Sequence, residues 1–227
     1  MKILCWDIDG TIIDTGPAGC AALDAIFEKR LHMKRPPLTM TIGGKTDSYV
    51  AWQYYIAAYK GSPDAKALDL FLDWYEDELC NALQAQKRAL LPSVESIIKG
   101  IAEEADWENR FFTGNRERCA QNKMALYGLG SFFNWKDSIL ADQFTTKLEV
   151  AKELKRKISG TYAEHIEKCI FIGDTPADIK AAHHIGVKSI GVATGCYSME
   201  DLKIVAPTIL LPQLPPVKEF INLINSL

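Results

Sequence analysis

Hydrophobic positions follow two rhythms along this chain. Ile3-Leu4-Cys5-Trp6 is continuously apolar and stops abruptly at Asp7-Ile8-Asp9-Gly10-Thr11. A short apolar run closed by turn residues predicts a buried strand of a parallel sheet. The rhythm then becomes helical: over residues 17–31, Leu23, Ile26, Phe27 and Leu31 recur on one face, until Arg35-Pro36-Pro37 breaks the pattern. Helices are predicted again over Asp47–Tyr59 and over 64–83, where Leu68, Phe71, Leu72, Tyr75, Leu79 and Leu83 form a stripe. Gly61-Ser62-Pro63 separates these two, with Ser62 as the expected cap.

From about Leu91 strand and helix alternate. Short strands are expected at 110–113, 138–141, 169–172, 187–192 and 208–211, with amphipathic helices between them. Such alternation implies right-handed βαβ units and one parallel sheet. A βαβ unit needs only about 30 residues, yet the first strand and the next good one lie far apart. A helical module inserted at 15–89 accounts for the gap, leaving 1–14 and 90–227 as an α/β core. Asp14-Thr15-Gly16-Pro17 and Ala89-Leu90-Leu91-Pro92 would be its hinges.

Composition narrows the class without naming it. The 227 residues, 48% hydrophobic and 24% charged, are ordinary for a globular protein. A net charge of −3 provides no basic field for nucleic acid. No apolar stretch approaches the roughly 20 residues of a membrane span, and no secretory leader is legible after Met1. A cytoplasmic protein, monomeric or weakly dimeric, is the expectation. Cys5, Cys20, Cys80, Cys119, Cys169 and Cys196 show no metal-like spacing and read mainly as reduced core thiols.

The chemistry collects at strand ends. Asp7 and Asp9 close the first strand, where open α/β sheets bind ligands, although Asp is also an ordinary turn residue. Thr113-Gly114-Asn115 offers a hydroxyl, close backbone approach and a helix cap at Asn115; it is either an N-cap turn or an anion site. Thr146-Lys147-Leu148-Glu149 reads as a capping box with Lys147 at N1, where a cation is disfavoured by the helix dipole. Lys147 therefore either faces an anion or is a solvated surface lysine. In Gly173-Asp174-Thr175-Pro176-Ala177-Asp178, Asp178 has a capping role at N3, whereas Asp174 has none. Three carboxylates at the ends of neighbouring strands would raise each other's pKa, and a hard divalent cation such as Mg²⁺ removes that problem.

With these residues in order, the chain resembles the haloacid dehalogenase-like superfamily. Asp7-Ile8-Asp9-Gly10-Thr11, Thr113-Gly114-Asn115, Lys147 and Gly173-Asp174-Thr175-Pro176-Ala177-Asp178 match its four motifs, and the helical insert resembles its C1-type cap. Gly191-Val192-Ala193-Thr194-Gly195, with Tyr197-Ser198, further resembles phosphoglycolate phosphatase-like members. The resemblance implies a Rossmann-like three-layer α/β core with a parallel sheet and an inserted all-helical cap. It also implies a Mg²⁺-dependent phosphatase acting on a small phosphorylated molecule. Asp7 would be the nucleophile and Asp9 the proton donor and acceptor. Asp7, the backbone carbonyl of Asp9 and Asp174 would hold Mg²⁺, with Asp178 behind them, while Thr113 and Lys147 would steady the phosphoryl oxygens. Because the carbon-attacking dehalogenases of that superfamily lack an acid at the position of Asp9, carbon–halogen cleavage is not expected. A sugar phosphomutase of the β-phosphoglucomutase kind and an inorganic pyrophosphatase share this apparatus. A non-catalytic regulatory protein on the same fold would have no need of the intact motifs.

Three features tempt other readings. Gly43-Gly44-Lys45-Thr46 lacks both the spacing and the preceding strand of a P-loop. In a cap it could instead reach over the core, making Lys45, Thr46 and Asp47 candidates for substrate contact. His183-His184 would point about 100° apart on a helix and cannot share a metal. Trp52, Tyr54, Tyr55 and Tyr59 could line a cap pocket, but more simply form core.

Overall fold

The computed structural model describes residues 1–85, 89–161 and 166–227. Five parallel strands stand in the order β2-β1-β3-β4-β5: β1 Lys2–Trp6, β2 Trp107–Phe111, β3 Cys169–Gly173, β4 Lys188–Val192 and β5 Ile209–Leu211. The chain passes from β1 outward to β2 and then crosses back over β1 to β3. This strand order places a topological switch point between β1 and β3, where a doubly wound sheet opens a crevice at its carboxyl edge.

Side chains of β1 alternate between two cores, as the period of a strand requires. Leu4 and Trp6 join the core formed with α4 (Val94–Glu103), α5 (Glu117–Tyr127) and α9 (Val217–Asn225). Ile3 and Cys5 face α6 (Lys147–Thr161) and α7 (Pro176–Ile185) on the other side. A short helix, α8 (Met199–Ile204), connects β4 to β5. Helices on both faces of the sheet make the three-layer α/β architecture.

Between β1 and β2 come α1 (Ala18–Lys29), α2 (Asp47–Tyr59) and α3 (Ala65–Ala85), with no strand among the described residues. They form the all-helical cap, with an apolar cluster of their own around Leu23, Ile26, Phe27, Tyr54, Phe71 and Leu72. A second cluster joins α1 and α3 to Cys119 of α5, tying the cap to the core. The chain enters and leaves the cap side by side, because Ile13 pairs antiparallel with Leu90 and the Leu91 N–H donates to the Ile12 carbonyl at 3.0 Å. We propose 15–89 as the extent of the insert; residues 86–88 of that range lie outside the described set.

Several expectations need correction. Asp64, not Ser62, caps α3, since its side chain accepts from the Ala67 N–H at 2.8 Å. β2 begins at Trp107 rather than at 110, because Asn109 and Arg110 are buried inside the strand. Asn109 is satisfied there by the Trp6 indole and by the carbonyls of Ile98 and Phe132. The stretch 138–141 contributes only one bridge, Phe112 to Ile139, and no strand. His183 and His184 are both exposed, and Tyr54 packs on Phe27 at 5.8 Å inside the cap core.

Candidate active site

The first wall of the site is made by strand ends. Asp7 follows β1 directly, its N–H donating to the Ile172 carbonyl of β3 at 3.0 Å. Asp174 follows β3, so the two carboxylates flank the switch point. Gly10, at φ +77°, turns the chain away, and a side chain there or at Gly195 would collide with the Asp174 carboxylate. Thr11 donates to Asp174 Oδ1 at 3.1 Å, while Oδ2 faces these two glycines.

Lys147 arrives from the start of α6. The capping box forms as expected, with the Glu149 N–H donating to Thr146 Oγ1 at 3.2 Å and the Thr146 N–H donating to Glu149 at 2.9 Å. Lys147 is buried, 2.5 Å from Asp7 Oδ2 and in contact with Asp178 Oδ1. Of its two open readings, the anion-facing one holds. Asp178 also closes the capping box of α7 with Thr175, so protein donors occupy both of its oxygens. Burial pushes the Asp7 carboxyl up to about 6 against the pull of Lys147. Asp174 is pushed well above the usual carboxylate value by burial and then by the charge of Asp7. Lys147 moves upward because its two carboxylate partners outweigh its burial.

Asp7, Asp174 and Asp178 each bring a carboxylate oxygen within 4.8 Å of the others, and all three are buried. The set suits a hard divalent ion in donor type and in its excess of negative charge. Asp174 fits best, since it lines the cavity and its Oδ2 lies against two glycines, with the Thr11 hydroxyl on the other oxygen.

Asp9 takes a different direction. Its carboxylate is held by Lys123, which donates to both oxygens at 2.7 Å, and by Asn115 Nδ2 at 2.9 Å; Lys123 also donates to Asn115 Oδ1 at 2.8 Å. Partial burial pushes Asp9 up, but the Lys123 charge and these hydrogen bonds win and hold it below the usual value. Asn115 is therefore not a helix cap. Asp142 and Asp47 serve the start of α5 instead, accepting from the Glu117 and Arg116 N–H groups at 3.0 and 2.9 Å.

Lys123 escaped the sequence reading. A signal was present: Cys119, Ala120, Lys123 and Met124 make the buried face of α5, and a lysine on an apolar face needs a partner.

The second wall is the cap loop 41–47. It lies directly on the core: the Asp47 N–H donates to the Gly114 carbonyl at 2.9 Å. A Cβ at Gly114 would sit 2.7 Å from the Lys45 carbonyl oxygen, and one at Gly44 would sit 2.8 Å from Thr175 Oγ1. The paired glycines that mimic a P-loop thus permit close docking. Lys45 and Asp47 line the cavity. Thr46 does not: it is fully buried, donating to the Thr145 carbonyl at 2.9 Å and capping α2 through the Tyr49 N–H. Thr113 is buried behind Gly114, its Oγ1 accepting from the Asn115 N–H at 3.2 Å. The cavity has a volume of about 700 Å³, is partly open to solvent, and runs from Asp7 past Asp9 to Tyr75 and Leu79 of α3.

A capped, doubly wound α/β sheet with buried acids and a paired lysine at its switch point has the make-up of an enzyme of the hydrolase class. The haloacid dehalogenase-like hydrolase model matches residues 1–186, and the chain belongs to that family. It is 23% identical over 224 residues to a phosphoglycolate phosphatase of Pseudomonas putida, covering 94% of this chain and 77% of that protein. Among solved structures, a HAD hydrolase of family IA, variant 3, from Entamoeba histolytica superposes with a TM-score of 0.75 at 17% identity, covering 99% of this chain and 100% of that one. A hydrolase from Pseudomonas syringae superposes with a TM-score of 0.69 at 16% identity, covering 100% and 99%. No helix among the described residues is long and apolar enough to cross a membrane.

Proposed function

We propose that the protein is a Mg²⁺-dependent phosphatase of small phosphorylated molecules, working through a phosphoryl group carried on Asp7. The observation that carries this reading is the difference in setting between the two acids that follow β1. Asp7 is buried between Lys147 and the other carboxylates, while Asp9, two residues on, is turned away from them onto Lys123 and Asn115.

Asp7, Asp174 and the backbone carbonyl of Asp9 would hold Mg²⁺, with Asp178 setting Lys147 behind them. The ion would supply positive charge against the phosphate oxygens and the carboxylates around it. An oxygen of Asp7 attacks phosphorus, the bond from phosphorus to the ester oxygen breaks, and Asp9 gives a proton to the departing alcohol. Because Lys123 and Asn115 hold Asp9 ionised in the free protein, that proton must be taken up as substrate binds. Asp9 then takes a proton from water, whose oxygen attacks the phosphoryl group and returns Asp7 as a free carboxylate. Lys147 neutralises negative charge beside Asp7, and the Gly114 N–H and the Thr113 hydroxyl would provide donors for phosphoryl oxygens, with the Asn115 N–H held on Thr113 Oγ1. The docked cap loop would exclude bulk water from the intermediate.

The test is hydrolysis of p-nitrophenyl phosphate by purified protein. Turnover that needs Mg²⁺ and disappears in Asp7→Asn is expected; full activity in that variant would discard the reading.

A further inference from the structure

Beyond Asp9 the cavity continues between α1, α2 and α3, where the alcohol half of a phosphate ester must lie. Leu23, Val50 and Leu79 form its apolar side, and Asp47 and Tyr75 its polar side. The Tyr75 hydroxyl has no protein hydrogen-bond partner among the described residues. Gly19 faces it, where a Cβ would lie 3.3 Å from the oxygen. Burial, and then the charge of Asp47, push this phenol well above its usual value, so it remains an O–H group. Asp47 uses one oxygen to accept from the Arg116 N–H.

Charge matching decides what can occupy this space. Five carboxylates line the cavity, Asp7, Asp9, Asp14, Asp47 and Asp174, against three lysines. Lys147 is held between Asp7 and Asp178, and Lys123 is held by Asp9 and Asn115. The third, Lys45, is exposed, with its ammonium 5.5 Å from the centre of the Tyr49 ring. Arg116 and Arg118 of the neighbouring helix pair with Glu76, Asp77 and Asp142 and do not line the cavity. Lys45 is thus the one cavity lysine with no carboxylate partner among the described residues, and a second anionic group on the substrate would have it alone against Asp9 and Asp47.

We propose that this half of the cavity selects phosphate esters of uncharged, hydroxyl-bearing alcohols, with Asp47 and Tyr75 as its specificity-determining residues; the proposal rests on the phosphatase reading above. A substrate hydroxyl can donate to Asp47 and accept from Tyr75, while its carbons lie on Leu23, Val50 and Leu79. A carboxylate or second phosphate would meet like charge at short range in a partly desolvated space, a difference on the order of tenfold or more in kcat/KM.

The experiment compares kcat/KM for glycerol 3-phosphate, phosphoglycolate and pyrophosphate, together with the thermal shift each ligand gives in the Mg²⁺-loaded protein. Glycerol 3-phosphate is expected to exceed both anionic-tailed compounds about tenfold or more, and to give the larger shift. Asp47→Asn should narrow the gap to phosphoglycolate, and Tyr75→Phe should lower the rate on glycerol 3-phosphate more than on p-nitrophenyl phosphate. Equal or reversed preference in the wild-type protein overturns the proposal, whatever the variants do. Absence of any ester hydrolysis defeats the phosphatase reading instead, and the order of thermal shifts still decides the selectivity.

Discussion

The sheet edge and the cap face close the same cavity but hold their charges differently. At the edge, Asp7, Asp174, Asp178 and Lys147 are all buried, and their positions follow from the register of β1 and β3 and from two capping boxes. On the cap face, Asp47 and Lys45 come from a loop whose place depends on glycines that let backbone touch backbone. Position is thus dictated locally at one wall and by docking at the other. Changes at the edge should act on chemistry, and changes on the cap face on access and choice.

Asp7→Asn breaks the comparison most directly. It keeps the shape and removes the attacking group, so a loss on the order of 10³-fold or more in p-nitrophenyl phosphate turnover is expected, with an unaltered circular dichroism spectrum. Lys147→Ala should lose activity on the order of 10²-fold. It should also cost about 3–5 kcal/mol of stability in urea titration, because two buried carboxylates lose their counter-charge. Mg²⁺ should raise Tm, with a stabilisation that grows with the logarithm of its concentration and reaches about 3 kcal/mol at 100 times Kd. That shift should vanish in Asp174→Asn; persistence there would move the ion elsewhere.

Gly114→Ala sharpens the contrast from the cap side. Its Cβ would press on the Lys45 carbonyl, so the loop must withdraw. A stability cost of about 1–3 kcal/mol is expected, with KM raised more than kcat is lowered. The smallest effect concerns Asp47. Burial pushes its carboxyl from 3.8 up to about 6, so the folded state holds this proton more tightly than the unfolded chain. That contribution is present below pH 4 and lost as pH rises through 6. Asp47→Asn removes the decline, so its Tm relative to wild type should climb as pH rises from about 4 through 6.

Which parts were legible follows from the same distinction. The helix Asp47–Tyr59 and the strand ends at Asp7 and Asp174 could be read because caps, apolar runs and turn residues are local signals. β2 was placed too late because Asn109 and Arg110 look like loop residues until their partners, distant in sequence, are known. Ser62 and Asn115 are good caps by type, but Asp64 and Asp9 had the stronger claims on the local geometry. The Lys123 clamp joins residues more than 100 positions apart, and nothing near Asp9 announces it.

The paired crossing at Ile13 and Leu90 bears on how the chain folds. β1 and β2 are neighbours, yet Lys2 must find Trp107. Closing a flexible loop of roughly 100 residues rather than 30 costs about 1 kcal/mol more in chain entropy. Helices α1 and α3 pack on each other within that loop and return its ends to one place. An insert that folded early would shorten the search it otherwise lengthens, and the nascent cap would then be a scaffold for pairing the first two strands.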